Sequence, residues 1–267
     1  MSRPDRAGDG SPRPASKPKD AARPVAIVTG ANRGLGLEIC RQLASRGYTV
    51  ALTARDPAKA TAAAREIDRT ARNVIAYQLD VSDSASVRAM SRWLTSTLGR
   101  CDVLVNNAAV DYDTDARAVT ADLQRVRRAM ETNVFGAWAT AQALLPLLRR
   151  SAHPRIVNVS SETGSISEMT GGTPAYAMSK AALNALTRML AYELRADGVL
   201  VNAVCPGWTI TDMGRGGRPV SEGAASIVWA ALLSDDVPPA ASSGTDDRCR
   251  GDPLRSAAIV EWIRRTG

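Results

Sequence analysis

The stretch Val25–Gly36, VAIVTGANRGLG, decides how the chain folds. It passes from an apolar run into a loop with three glycines, and the helical pattern GLEICRQLASRG continues from Gly36. Strand, glycine turn and helix in that order form the phosphate-binding corner of a dinucleotide-binding βαβ unit. Gly30 permits the sharp turn off the strand, while Gly34 and Gly36 let backbone approach a pyrophosphate and let the helix pack on the strand. The start of the helix offers unpaired N–H groups to an anion. The loop residues Gly30, Asn32, Arg33, Gly34, Leu35 and Gly36 are therefore candidate cofactor ligands.

Outward from this corner the same rhythm repeats. The strand-like runs YTVALTA, NVIAYQLD, CDVLVNN, RIVNVSS and VLVNAVCPG alternate with helical patterns, the longest running from the third of these to about Arg150. Short apolar runs alternating with helices predict a parallel sheet covered on both faces. Right-handed crossovers make it an α/β, single-domain, Rossmann-type doubly wound sheet over residues 25–239. A chain of 267 residues is long enough for one such domain with a large core. Residues 1–24 are rich in Pro, Gly, Ser and charge, and are expected to be a disordered basic tail.

The net charge of +7 is partly that tail, where six basic residues face three acids. No basic stripe interleaved with aromatics accompanies it, so no nucleic-acid partner is expected. An N-terminal apolar leader and a run of about 18 apolar residues are both missing, so no membrane partner is expected. The four cysteines show neither metal nor disulfide spacing, and there is one histidine; a reducing cytoplasm and no metal follow as expectations.

The second strand indicates which dinucleotide. An NAD site places an acid near its end to accept from the ribose 2′-OH. Ala54 stands there, Arg55 follows, and Arg33 lies in the glycine loop. Two guanidiniums suit a 2′-phosphate, so the expected cofactor is NADP(H). Asp56 is the nearest objection, one residue beyond Arg55.

In the helix PAYAMSKAAL, Tyr176 and Lys180 stand one turn apart on one face. An ammonium beside a phenol favours the phenolate and brings tyrosine within range of acid–base work near neutral pH. The plain alternative is an amphipathic helix face. What removes most of that doubt is the ordered series TGANRGLG, NNA, NVSS, Tyr-x-x-x-Lys and CPGW.

On these motifs the chain resembles the short-chain dehydrogenase/reductase family from about Val25 to Leu233, and LTARD, ETNVFG and CPGWTITDM resemble its carbonyl reductase branch. The resemblance implies that Tyr176 protonates a carbonyl oxygen, that Lys180 holds the nicotinamide ribose and lowers the Tyr176 pKa, and that Ser161 hydrogen-bonds the substrate oxygen, with Ser160 as runner-up. It implies that Asn133 kinks its helix and holds a water leading to Lys180. Asp80 and Val81 would bracket the adenine, Asn106 would line the adenosine side, and backbone around Pro206, Gly207, Ile210 and Thr211 would meet the carboxamide. Ala109 departs from the usual NNAG. Only 14 residues separate Ser161 from Tyr176, which leaves the family's helix-pairing surface open and points to a homodimer or homotetramer. Val110, Met169, Trp208 and Met213 are expected to line the substrate site, with Gly214–Gly223 as a lid. The implied function is reduction of a small carbonyl compound; the rival is a non-catalytic NADP(H)-binding protein.

The chain's end fits this pattern poorly. By the resemblance, the family closes on a strand and loop like GGFF-RDG-x-P-x-PW. Codons permitted for Ala240–Gly251, read one base earlier, spell GGFFRDGRPLPW, and a stop can follow within the Asp252 codon. Residues 240–267 are thus expected to be an aberrant, frame-shifted tail, with the last edge strand of the sheet missing. Sequencing the coding DNA checks this; an alternative frame without GGFF-RDG would contradict it.

Overall fold

The computed structural model describes residues 23–210 and 217–235. Six strands, β1 (Val25–Val28), β2 (Thr49–Ala54), β3 (Val74–Gln78), β4 (Val103–Asn106), β5 (Arg155–Val159) and β6 (Leu200–Val204), form one sheet in the order β3-β2-β1-β4-β5-β6. Every pairing is parallel. All strands but the edge strand β3 are almost wholly buried, as expected when both faces carry helices. On one face α1 (Gly34–Ser45), α2 (Pro57–Ile67) and α7 (Val220–Ala231) enclose one apolar core. On the other, α3 (Ser84–Thr97), α5 (Ala137–Leu148) and α6 (Pro174–Glu193) enclose a second.

Local chemistry sets the helix starts. Asp56 caps α2 through the Ala58 and Lys59 N–H groups, ahead of Pro57, whose missing N–H costs nothing at a first helical position. Asp83 caps α3, and Asp122 caps α4 (Leu123–Met130). Between α4 and α5 lies a π-helical turn, Glu131–Gly136, which contains Asn133.

Strand order reverses between β1 and β4, so the chain leaves these neighbours toward opposite faces and opens a crevice at their carboxyl ends. Thr29 and Asn107 tie the two sides together there. The Thr29 hydroxyl accepts from the Asn107 and Ala108 N–H groups, and the Asn107 amide donates to the Thr29 and Gly30 carbonyls.

Two expectations change. The helical region after β4 is instead a loop through Arg117, a short 3₁₀ turn (Ala118–Thr120), α4, the π-helical turn and α5. Among the described residues of the expected lid, those from Val220 onward are the first turn of α7. That turn is anchored by Gln42, which donates to the Ser221 carbonyl. The expected disordered tail, the frame-shifted tail and the missing edge strand fall outside the described residues. Among those residues β6 pairs only with β5.

Candidate active site

A cavity of about 320 Å³ opens at the carboxyl ends of the strands. Its floor at one end is the glycine loop, and every residue proposed there, from Gly30 and Asn32 to Gly36, lines it together with Arg55. Gly30 and Gly34 have φ of 63° and 55°, a left-handed backbone that glycine alone adopts freely. A Cβ on Gly36 would sit 2.5 Å from the Asn107 amide nitrogen, so this position is closed to any other residue. Val81, Pro206 and Gly207 also line the cavity.

At the other end Ser161, Tyr176 and Lys180 converge. The Ser161 hydroxyl lies beside the Tyr176 phenol and favours its ionised form. The Lys180 ammonium lies 5.3 Å from the Tyr176 ring centroid and donates to the Val159 carbonyl at 2.7 Å. Gly164 lets the Ser161 turn press on α6: a Cβ there would come within 2.8 Å of Lys180 backbone. The Ser160 hydroxyl donates instead to Asn184, so Ser161 is the serine turned to the tyrosine.

A model of the family described as "short chain dehydrogenase" matches residues 24–219. The chain belongs to the short-chain dehydrogenase family. It is 35% identical to short-chain dehydrogenase/reductase 1 of Saponaria officinalis, over 80% of this chain and 91% of that one. It is 34% identical to carbonyl reductase [NADPH] 1 of Bos taurus, over 89% of this chain and 98% of the relative. Its fold is similar to a metagenomic short-chain oxidoreductase in complex with NADP, with TM-score 0.69 and 32% identity, covering 79% of this chain and 91% of that one.

Within this short-chain dehydrogenase several assigned positions lie elsewhere than expected. Asn106 is not on the cavity wall. It ends β4 pointing into the core, where its amide donates to Asn158 and to the Ala137 carbonyl; strand alternation puts Asn107 on the cavity instead. Asp80 turns its carboxylate to the Ser82 N–H and hydroxyl, leaving Leu79 and Val81 as the wall. Ile210 is exposed, does not line the cavity, and donates its N–H to the Arg218 carbonyl. Thr211 lies outside the described residues. Asn133 is buried behind the cavity. Its carboxamide accepts from the Val110 N–H and donates to the Val110 carbonyl and the Ser179 hydroxyl. Of the expected substrate wall, Val110 and Trp208 line the cavity, Met169 does not, and Met213 is outside the described residues.

Burial, then the nearby Cys205 and Tyr112, push the Tyr176 phenol upward, against the neighbouring Ser161 hydroxyl, which favours ionisation. Burial pushes the Lys180 ammonium down to about 8. Desolvation dominates at the phenol and favours its protonated form.

Two participants carried no sequence signal strong enough to find. Tyr112, in the loop after β4, packs edge-on against Tyr176 with centroids 5.0 Å apart and lies 6.3 Å from Trp208. Cys205 ends the run after β6, buried beside Tyr176 and Lys180, and burial raises its thiol pKa.

Proposed function

We propose that this short-chain dehydrogenase reduces an uncharged, largely apolar carbonyl compound with NADPH. The observation that carries the reading is one cavity holding Ser161, Tyr176 and Lys180 at one end and a glycine loop with Arg33 and Arg55 at the other. A protonated Tyr176 is poised to give its hydroxyl proton to a carbonyl oxygen. Ser161 donates a second hydrogen bond to that oxygen as its charge grows, the contribution that is usually largest. Lys180, held by the Val159 carbonyl, keeps a positive charge close to the phenol as it loses its proton. Tyr112, Val110 and Trp208 give the substrate end apolar walls.

The residues present fit NADP(H): the glycine cradle admits a pyrophosphate, and Arg33 and Arg55 suit the 2′-phosphate. When bound, the reduced nicotinamide supplies the hydride. Asp56, the acid that would favour NAD, is occupied capping α2. The NADPH in the bovine relative's name and the NADP bound to the metagenomic neighbour support the same choice. Arg55→Ala is expected to weaken NADPH binding roughly tenfold or more, the scale of one lost charge-assisted contact, while NADH binding changes little. Fluorescence titration with both cofactors checks this, and equal losses would contradict it.

Homo-oligomerisation is part of the proposal. Met178, Met189 and Tyr192 are exposed apolar side chains on α6, with Phe135 exposed on the π-helical turn. Sedimentation should give a dimer or tetramer; a monomer at micromolar concentration would contradict it.

A further inference from the structure

The first turn of α6 carries the reactive tyrosine, and its own sequence does not cap it. Thr173 precedes the helix with φ of 49°, in the left-handed region, and its side chain makes no capping bond. Pro174, the first helical residue, has no N–H. The Ala177 N–H finds the Thr173 carbonyl. That leaves the N–H groups of Ala175 and of Tyr176 itself without a partner in the helix. Both go to one side chain, 62 and 63 residues upstream, in the loop after β4. Asp113 Oδ2 accepts from the Ala175 N–H at 3.0 Å, and Asp113 Oδ1 accepts from the Tyr176 N–H at 3.1 Å. The carboxylate is buried, 1% exposed, and Ala175 is fully buried, so water does not substitute for it.

The loop that carries Asp113 is itself fixed on both sides. Asn133 grips the Val110 backbone through both its N–H and carbonyl. Asp111, at φ of 60°, is paired with Arg125 at 3.3 Å and Arg128 at 3.8 Å. Tyr112, between these anchors, meets the Tyr176 ring edge-on. Thus the loop touches the reactive tyrosine twice, at its ring through Tyr112 and at its backbone through Asp113.

We propose that Asp113 is a positioning residue: it caps α6 from the β4 loop and so fixes the Tyr176 hydroxyl relative to Ser161 and Lys180. The inference rests on the reductase reading for its kinetic consequence, but not for the capping itself. Lys180 stands one turn further in and is held separately by the Val159 carbonyl. Loss of the cap therefore loosens Tyr176 while leaving Lys180 and the glycine loop in place. A misplacement of about 1 Å can cost on the order of 100-fold in rate.

The experiment compares wild type, Asp113→Ala and Asp113→Asn by kcat, NADPH affinity and amide exchange at Ala175 and Tyr176. Asp113→Ala is expected to lower kcat about 100-fold, with the NADPH dissociation constant within about threefold of wild type. Asp113→Asn keeps one acceptor oxygen and should fall between. Exchange at the two amides should be slow in wild type and fast in Asp113→Ala. If Asp113→Ala does not fold, Asp113→Asn carries the same test: reduced kcat with intact NADPH affinity supports the proposal. Unchanged kcat in the folded variants, or NADPH affinity falling in step with kcat, would overturn it. A wild type without turnover would defeat the reductase reading alone. Amide exchange then decides the cap: protection lost on substitution supports it, and unprotected amides in wild type overturn it.

Discussion

Tyr176→Phe is expected to lower kcat for NADPH-dependent carbonyl reduction by about 1,000-fold, the scale of a lost general acid. The phenol is the group in the cavity whose protonated form burial favours, and it lies beside Ser161. Phenylalanine keeps the ring, so the edge-on contact with Tyr112 and the packing beside Lys180 remain. NADPH affinity should therefore stay within about threefold of wild type, a split between chemistry and binding that a folding defect would not give. Steady-state kinetics with fluorescence titration of NADPH measure both. A variant retaining a tenth or more of wild-type kcat would remove Tyr176 from the role of proton donor.

Lys180→Met should remove turnover and yet make the cofactor-free protein more stable. Lys180 is fully buried, and no carboxylate is among the groups that set its pKa. Its folded pKa of about 8 lies below the ordinary 10.5, so the unfolded chain binds the proton more tightly. The difference costs stability in full below pH 8, the cost shrinks as pH rises from 8 to 10.5, and above 10.5 it is gone. At neutral pH that is about 3 kcal/mol, offset by about 1 kcal/mol for the hydrogen bond to Val159. A net gain of about 2 kcal/mol is expected at pH 7, narrowing as the pH is raised toward 10. Urea unfolding of both proteins across that range checks it; a gain that grows with pH would contradict the account. The group that serves the reaction is thus one the fold tolerates rather than one that holds it together.

The glycine corner, the six strands and the Tyr176–Lys180 pair were legible because each follows from a period or a spacing. Apolar runs of four to six residues between helical patterns have few parallel-sheet solutions, and a separation of four residues fixes a helical face. What failed did so where one residue of register matters. Asn106 and Asn107 are adjacent at the end of a strand, and only the pleat decides which meets the cavity. The segment DYDTDARAVT has no period at all, so neither Tyr112 against Tyr176 nor Asp113 under it had a local signature. Likewise α7 escaped notice: small residues fill SEGAAS, and its helical face is set by packing on α1, not by contrast between polar and apolar positions. Sequence shows the charge near Tyr176 but not the depth of burial that raises its pKa.

The central claim is that this cavity reduces carbonyl compounds at the expense of NADPH. The direct measurement is NADPH consumption by purified protein against a panel of apolar ketones, aldehydes and quinones, with the product identified. The account predicts carbonyl-dependent consumption, one alcohol or hydroquinone formed per NADPH, and little activity with NADH. Tight NADPH binding with no consumption on any member of the panel would contradict it and leave a cofactor-binding protein without catalysis.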